Sequence, residues 1–228
     1  MTKLKGKGLE ARGKGLACGR VAAELAAVGR RFYARGWVLG TSGNFSAVVS
    51  REPLRLAITA SSLPKGTLRA SDILQCDQSG CVVGPAKGTP SAETLLHVEI
   101  ARRRGAGAIL HTHSVWSTML SDAWPSGPGD EVAGLVIEGY EMLKGLAGIS
   151  SHEHRELVPI VDNDQDMARL ARRVGETLDR HPDAHAFLLR RHGMYTWGET
   201  LADAERHVEI LEFLFETIGR TEGGPSWR

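Results

Sequence analysis

The chain has 228 residues, of which 42% are hydrophobic and 24% charged, values typical of a globular protein with a sizeable core. Lysine and arginine total 28 and aspartate and glutamate 27, so bulk charge argues against nucleic-acid or membrane partners. No apolar stretch approaches the roughly 18 residues needed to span a bilayer. Three unevenly spaced cysteines are too few for a disulfide framework, so we expect a cytoplasmic protein.

The first half of the chain begins with lysines and glycines that lack the apolar run of a secretory signal. We expect residues 1–15 to form a flexible basic tail and residues 16–228 a single catalytic domain. Apolar residues at helical spacing predict a helix over 17–35. Short segments bounded by turn residues predict strands over 45–50 and 54–59, and a hairpin of 73–76 with 81–83.

The second half of the chain alternates between helical and extended patterns. We predict helices over 91–104, with Ser91 as the cap, and over 138–146, 164–180 and 201–219. A helical turn is predicted from Val115. Strands are predicted over 108–111, 157–161 and 186–189. Residues 124–129 are rich in proline and glycine and are a candidate lid. The element order predicts a three-layer α/β/α domain with a mixed, largely antiparallel central sheet.

Three histidines follow predicted strands. His111 and His113 end the strand over 108–111, and residues i and i+2 of a strand point to the same face. His192 follows the strand over 186–189. Three neutral imidazoles with an open fourth position are typical of a catalytic zinc site, so we expect these residues to bind a metal.

A second histidine pair, His152 and His154, lies in a polar segment rather than at the end of a strand. We predict that this segment is a solvated or substrate-facing loop and not the metal site.

Several short motifs together resemble the class II aldolase/adducin family over nearly everything after residue 18. The matching segments are residues 40–44, 58–62, 90–93, 111–114 and 192–193. The resemblance implies the three-layer fold and one Zn²⁺ per subunit, bound by His111, His113 and His192. It also implies a homotetramer, commonly cyclic, with sites near the subunit boundaries.

Three longer segments, residues 140–145, 158–164 and 190–200, are similar to a dehydratase branch of that family. Similarity to this branch implies an enzyme that uses zinc to remove water from a methylthio-substituted ketose 1-phosphate in methionine salvage. Two alternatives remain: a sugar-phosphate aldolase or epimerase of the same fold, and a non-catalytic adducin-like interaction domain.

The resemblance also implies roles for individual residues. Glu141 is the favoured acid/base, and Glu93 is the second candidate, beside the metal or positioning the substrate. The phosphate is expected to bind Gly43, Asn44, Ser61, Ser62 and Ser91, with Lys65 as an added point charge. Candidates for the pocket of the methylthio group are Trp116, Met119, Trp124 and Tyr195.

Overall fold

A computed structural model describes residues 4–86, 88–123 and 134–222 of the chain. The helices are α1 (Leu4–Ala34), α2 (Thr94–Arg104), α3 (Val115–Ala123), α4 (Met167–Arg180) and α5 (Leu201–Glu222). The strands are β1 (Asn44–Arg51), β2 (Leu54–Thr59), β3 (Ile73–Asp77), β4 (Ala108–Thr112), β5 (Gly134–Ile137), β6 (Glu156–Val161), β7 (Ala186–Leu189) and β8 (Gly193–Gly198). Among the described helices, none has the length and apolarity required to cross a membrane.

The strands of the described residues form one eight-stranded sheet in the order β3-β2-β1-β4-β8-β7-β6-β5. Only β6 and β7 pair in parallel, and every other neighbouring pair is antiparallel. The predicted mixed, largely antiparallel sheet is therefore confirmed. β4 lies in the middle of the sheet between β1 and β8, so both sides of its backbone are hydrogen-bonded.

Two apolar cores lie on opposite faces of the sheet, which confirms the three layers. α1, α3 and α5 pack on one face through residues such as Phe32, Leu120 and Leu211. α2 and α4 cover the other face through residues such as Ile100 and Val174. Successive residues of β4 alternate between the two cores because side chains of a strand alternate between faces.

Helix α1 begins earlier than the predicted helix over 17–35, because its backbone is helical from Leu4. It therefore includes most of the segment predicted as a tail. Glycines at positions 6, 8, 13 and 15 lower helix propensity there, so the pattern did not indicate a helix. The flexibility of residues 1–15 and the single-domain boundary at residue 16 stay predictions.

The predicted helix over 138–146 is wrong, because only a short 3₁₀ helix forms, at Glu141–Gly145. Gly139 adopts a left-handed backbone conformation with φ of 79°, which prevents a helix from starting before residue 140. The strand β5 that precedes it was not predicted, and neither was β8. β8 begins and ends with glycine, which weakens a strand pattern.

Two smaller predictions are also corrected. Residues 81–83 form only an isolated bridge, between Cys76 and Val82, and not a second hairpin strand. Ser91 is not the cap of α2, because the helix begins at Thr94 and Glu93 occupies the N-cap position. The Ser91 hydroxyl instead accepts the backbone N–H of Glu93, at 3.3 Å, in the turn before the helix. The candidate lid over 124–129 lies outside the described residues.

Glu212 of α5 is a buried carboxyl that packs against β4. Its Oε1 accepts the hydroxyl of Thr112 at 2.8 Å, whereas its Oε2 has no partner among the described residues. Burial raises the pKa of Glu212 from 4.5 to about 7, although the hydroxyls of Ser114 and Thr112 oppose this shift. The folded chain therefore holds a proton on Glu212 at a pH where the unfolded chain has lost it.

We predict that the wild-type chain loses stability relative to Glu212→Gln as pH rises from about 4.5 to about 7, because ionising Glu212 costs more in the folded state. The difference in unfolding free energy should grow by about 3 kcal/mol over this window. Urea unfolding at pH 5 and pH 8 measures it. Phe213→Ala, at an exposed apolar position of the same helix, is the control and should show no such pH dependence, because it removes no titratable group. A constant difference for Glu212→Gln would contradict the prediction.

Candidate active site

The end of β4 places two of the three histidines. His111 is fully buried and faces the α2/α4 side, where the ring of Tyr195 stacks on it with centroids 3.9 Å apart. Thr112 faces the opposite side, toward Glu212. His113 follows the strand, and its backbone N–H donates to the carbonyl of Trp37 at 2.8 Å. The strand geometry therefore turns His111 and His113 to the same side, as the spacing predicted.

His192 lies in the tight turn between β7 and β8. Arg191 has a positive φ of 56°, an unusual conformation for a residue with a side chain. Two hydroxyls of α3 hold the turn: Ser121 Oγ accepts the backbone N–H of Arg191 at 2.9 Å, and Thr118 Oγ1 donates to the carbonyl of His192 at 3.1 Å. The turn thus directs His192 toward the end of β4.

The three imidazole rings converge. Ring centroids of His192 lie 5.0 Å from His111 and 4.5 Å from His113, and each ring offers a nitrogen within 4.8 Å of the others. The Nε2 atoms of His111 and His113 are 2.8 Å apart. Because metal–imidazole bonds are about 2.0–2.1 Å long, one divalent ion can contact nitrogens at such spacings.

Protonation states also favour a metal. The Nδ1 of His111 lies 2.9 Å from the carbonyl of Met194, which can only accept, so Nδ1 carries the proton and Nε2 keeps its lone pair. Burial, followed by the neighbouring histidines, lowers the pKa of His113 to about 2 and that of His111 well below its ordinary value. These two rings are neutral at pH 7, as metal ligands must be. The donor set therefore fits a divalent cation.

Glu93 stands beside the three histidines. Its Oε2 is 3.5 Å from His111 Nε2, and its Oε1 is 3.4 Å from His192 Nε2. The amide nitrogen of Asn44 donates to Glu93 Oε2 at 2.6 Å and to Ser91 Oγ at 3.1 Å. The predicted Glu93 thus lies where it can act on a metal ligand, a bound ion or a substrate.

A cavity of about 270 Å³ opens next to Glu93, His113 and His192. All of the residues predicted to bind phosphate line it: Gly43, Asn44, Ser61, Ser62, Lys65 and Ser91. Among the lining residues that we did not predict are Asn163, Gln165 and Met167, which come from the loop before α4 and from its first residue. Part of that loop belongs to segment 158–164, which carried the family resemblance, but no chemistry in it indicated a role.

Lys65 is almost completely buried in the wall of this cavity. Its Nζ donates to the carbonyls of Thr41 and Leu63, both at 2.9 Å, which leaves one of three ammonium protons for a ligand. Burial lowers the pKa of Lys65 to about 8, so the side chain is still mainly cationic at neutral pH. The cavity therefore combines a cation with hydroxyl donors.

Glu141 lies elsewhere in the same chain. Its side chain is 73% exposed, pairs with Lys144 at 2.8 Å, and approaches the exposed ring of His152 at 3.8 Å. The hydrogen bond and charge of Lys144 lower the pKa of Glu141. Glu141 does not line the cavity, so a single chain does not bring it together with the three histidines.

A second cluster within the described residues, His154, Glu156 and His185, also has metal-like spacing. Here both ring nitrogens of His185 face acceptors: Nδ1 lies 3.0 Å from Glu156 Oε2, and Nε2 lies 2.8 Å from the carbonyl of Ala147. Burial alone would lower the pKa of His185, but Glu156 and this carbonyl together raise it. The cluster is thus satisfied as an ion pair without a metal.

None of the three described candidates for the methylthio pocket lines the cavity. Tyr195 is fully buried beneath His111, and Met119 is exposed. Trp116 packs beside Arg220, and Trp124 lies outside the described residues. Met167 is the apolar, polarisable side chain that lines the cavity.

Comparison with known proteins agrees with this geometry. Residues 23–218 match the family model described as class II aldolase and adducin N-terminal domain. A methylthioribulose-1-phosphate dehydratase of Methylococcus capsulatus is 50% identical over 204 residues, covering 89% of this chain and 94% of the relative. The protein of the same name from Pseudomonas fluorescens is 45% identical over 198 residues, covering 86% of this chain and 91% of the relative.

The fold is also similar to a solved structure, the L-fuculose-1-phosphate aldolase of Thermus thermophilus. The TM-score is 0.67 at 25% sequence identity, and the match covers 90% of this chain and 96% of the aldolase. The family model spans most of the chain, including every histidine of the site, and the relatives cover a similar share of it. This chain is therefore a member of the class II aldolase and adducin family.

Proposed function

We propose that this chain is a zinc-dependent dehydratase that converts 5-methylthioribulose 1-phosphate into 5-methylthio-2,3-dioxopentyl phosphate and water, in the cytoplasm, as a step of methionine salvage. The observation that carries the proposal is the convergence of His111, His113 and His192 beside a cavity containing Lys65 and serine hydroxyls. The name shared by relatives at 45–50% identity supports the substrate.

Different residues of the cavity are suited to bind different parts of the substrate. Lys65, the hydroxyls of Ser61, Ser62 and Ser91, and the backbone at Gly43 and Asn44 are suited to bind the phosphate. The three histidines would hold one Zn²⁺, which when bound supplies Lewis-acid polarisation of a ketone carbonyl. Met167 is suited to contact the methylthio group.

The chemistry requires one residue to move protons. A proton leaves C3 of the substrate, the hydroxyl of C4 leaves as water after accepting a proton, and the resulting enol ketonises to the diketone. We assign the proton transfers to Glu141, as the family resemblance implies, and assign to Glu93 the placement of the reacting groups beside the histidines.

Glu141 can take this role only if it comes from a second copy of the chain, because it is exposed and does not line its own cavity. We therefore propose a homotetramer in which each site combines the histidines of one subunit with Glu141 of its neighbour. Closed cyclic symmetry repeats the same boundary for every subunit, so all sites are completed alike.

We predict that the purified chain converts methylthioribulose 1-phosphate into a product with the absorbance of the diketone and its enol. Chelator should abolish the reaction and added Zn²⁺ should restore it, because the histidines alone do not polarise the carbonyl. The measurement is ultraviolet absorbance together with mass spectrometry of the products. Carbonyl fragments from cleavage of the carbon chain would instead indicate an aldolase and contradict the proposal.

We predict that His113→Ala and Glu141→Gln are each inactive alone but regain activity when co-expressed as mixed tetramers. A hybrid boundary joins intact histidines of one chain to intact Glu141 of the other, so random mixing should restore about a quarter of wild-type turnover. The measurement is turnover per chain in the purified hybrids.

Glu93→Gln is the matched control for this experiment. Glu93 lies in the same chain as the histidines that it contacts, so hybrids of Glu93→Gln with His113→Ala should gain nothing over the low activity of Glu93→Gln alone. If hybrids with Glu141→Gln stay inactive although the mixed tetramers form, the assignment of Glu141 to a neighbouring subunit is wrong.

A further inference from the structure

A row of buried polar side chains leads from the core to Glu93. His97 and Ser46 are fully buried and Asn44 is 5% exposed. His97 lies four residues after Glu93, so the two share one side of the start of α2. Ser46 Oγ is 2.7 Å from His97 Nδ1, His97 Nε2 is 2.5 Å from Asn44 Oδ1, and Asn44 Nδ2 is 2.6 Å from Glu93 Oε2. The row therefore joins Glu93 to the core without a break.

The hydrogen-bond chemistry of this row has one consistent direction. The amide NH₂ of Asn44 faces Glu93, because Asn44 Nδ2 donates both to Glu93 Oε2 and to Ser91 Oγ. The amide oxygen of Asn44 then faces His97, which must donate from Nε2. His97 Nδ1 is consequently the acceptor for the hydroxyl of Ser46. A different tautomer of His97 would place two acceptors against each other at Asn44.

His97 is neutral at physiological pH, because burial lowers its pKa to about 4 in spite of the charge of Glu93. A neutral imidazole has a single N–H group, so the nitrogen that carries this proton decides which neighbouring group His97 can orient. An imidazolium could donate from both nitrogens, and the hydroxyl of Ser46 would then have to turn away. Neutral His97 therefore donates a hydrogen bond on one side only and accepts one on the other.

We propose that His97 is a positioning residue for Glu93: its Nε2–H tautomer, which leaves Nδ1 to accept the hydroxyl of Ser46, fixes the amide of Asn44 and thereby aims the Glu93 carboxylate at His111 and His192. His97 touches neither the cavity nor the three histidines of the metal site by hydrogen bonds, and it acts through Asn44. Its kinetic consequences rest on the proposed dehydratase activity, whereas the tautomer does not.

The tautomer is tested by neutron diffraction from crystals of the purified, deuterium-exchanged protein, which locates the exchanged proton without requiring turnover. The expected result is a deuteron on His97 Nε2, none on Nδ1, and the ND₂ group of Asn44 toward Glu93. A deuteron on Nδ1 with Nε2 bare would overturn the proposal, because Asn44 would then turn its oxygen toward the carboxylate.

The positioning role is tested by a pair of variants. His97→Leu removes the donor and should lower kcat of the dehydration by about 10- to 100-fold with KM changed less than about threefold, because remote misplacement affects the reacting geometry first. His97→Gln can still donate an amide N–H to Asn44 and should recover most of kcat. Equal losses in both variants at equal thermal stability would overturn the proposal.

A double-mutant cycle separates positioning from loss of stability. In a Glu93→Gln background, His97→Leu should lower kcat by less than about twofold, since its effect passes through Glu93. The control is Thr177→Ala, which removes a buried hydroxyl that donates to a carbonyl of its own helix, α4. It should leave kcat unchanged in both backgrounds. Fully additive losses for His97 and Glu93 would contradict the proposal.

The tests also distinguish failure of this proposal from failure of the proposed function. If the wild-type chain does not dehydrate methylthioribulose 1-phosphate, the proposed function fails and the neutron result still decides the tautomer. If the wild-type chain is active but His97→Leu matches it in kcat, the positioning role alone fails.

Discussion

The close approach of backbone on both sides of the end of β4 is the constraint on which the site depends. A Cβ added to Gly193 would lie 2.0 Å from the carbonyl oxygen of Thr112, and one added to Gly43 would lie 2.7 Å from that of His111. Only glycine permits β8 and the turn before β1 to come so near. This proximity brings His192 beside His111 and brings the cavity wall at residues 41–44 against the same histidines. The site is therefore a product of strand packing rather than of one flexible loop.

Successive side chains of β4 point to opposite faces of the sheet, so the strand connects this site to both layers of helices. His111 faces Tyr195 and the α2/α4 layer, whereas Thr112 faces Glu212 of α5. Glu212 Oε2 has no hydrogen-bond partner among the described residues, and a buried polar group in that state costs roughly 1–3 kcal/mol of stability. On the other face, each member of the row from Ser46 to Glu93 is hydrogen-bonded to the next. The two networks hold the strand end from opposite sides, which suits a site that must keep three rings in fixed geometry.

Much of this architecture could be predicted from local pattern. The apolar strand ending in His111 and His113 predicted the metal ligands, since the two-residue period of a strand is a local property. His192 was predicted as the third ligand because it follows the strand over 186–189, and the family resemblance implied the same set. Its position beside the other two depends on the long-range pairing of β4 with β8, which was not predicted as a strand. The sequence did not predict the lining residues Asn163, Gln165 and Met167, because a loop that lines a cavity shows no periodic pattern of apolar residues. The role of Glu141 was assigned by the family resemblance. The structure of a single chain cannot show Glu141 in a site, because the site that we propose for it belongs to another copy of the chain.

The most direct test of this account is the metal content of the purified full-length chain after removal of weakly bound ions. If His111, His113 and His192 share one ion, the wild-type chain binds about one divalent ion per subunit, and alanine at any of the three positions removes nearly all of it. His152→Ala and His154→Ala, in the second histidine pair, should keep the full amount. Retention of a full equivalent by His192→Ala would contradict the account, because the metal would then not be bound where the strands of the sheet converge.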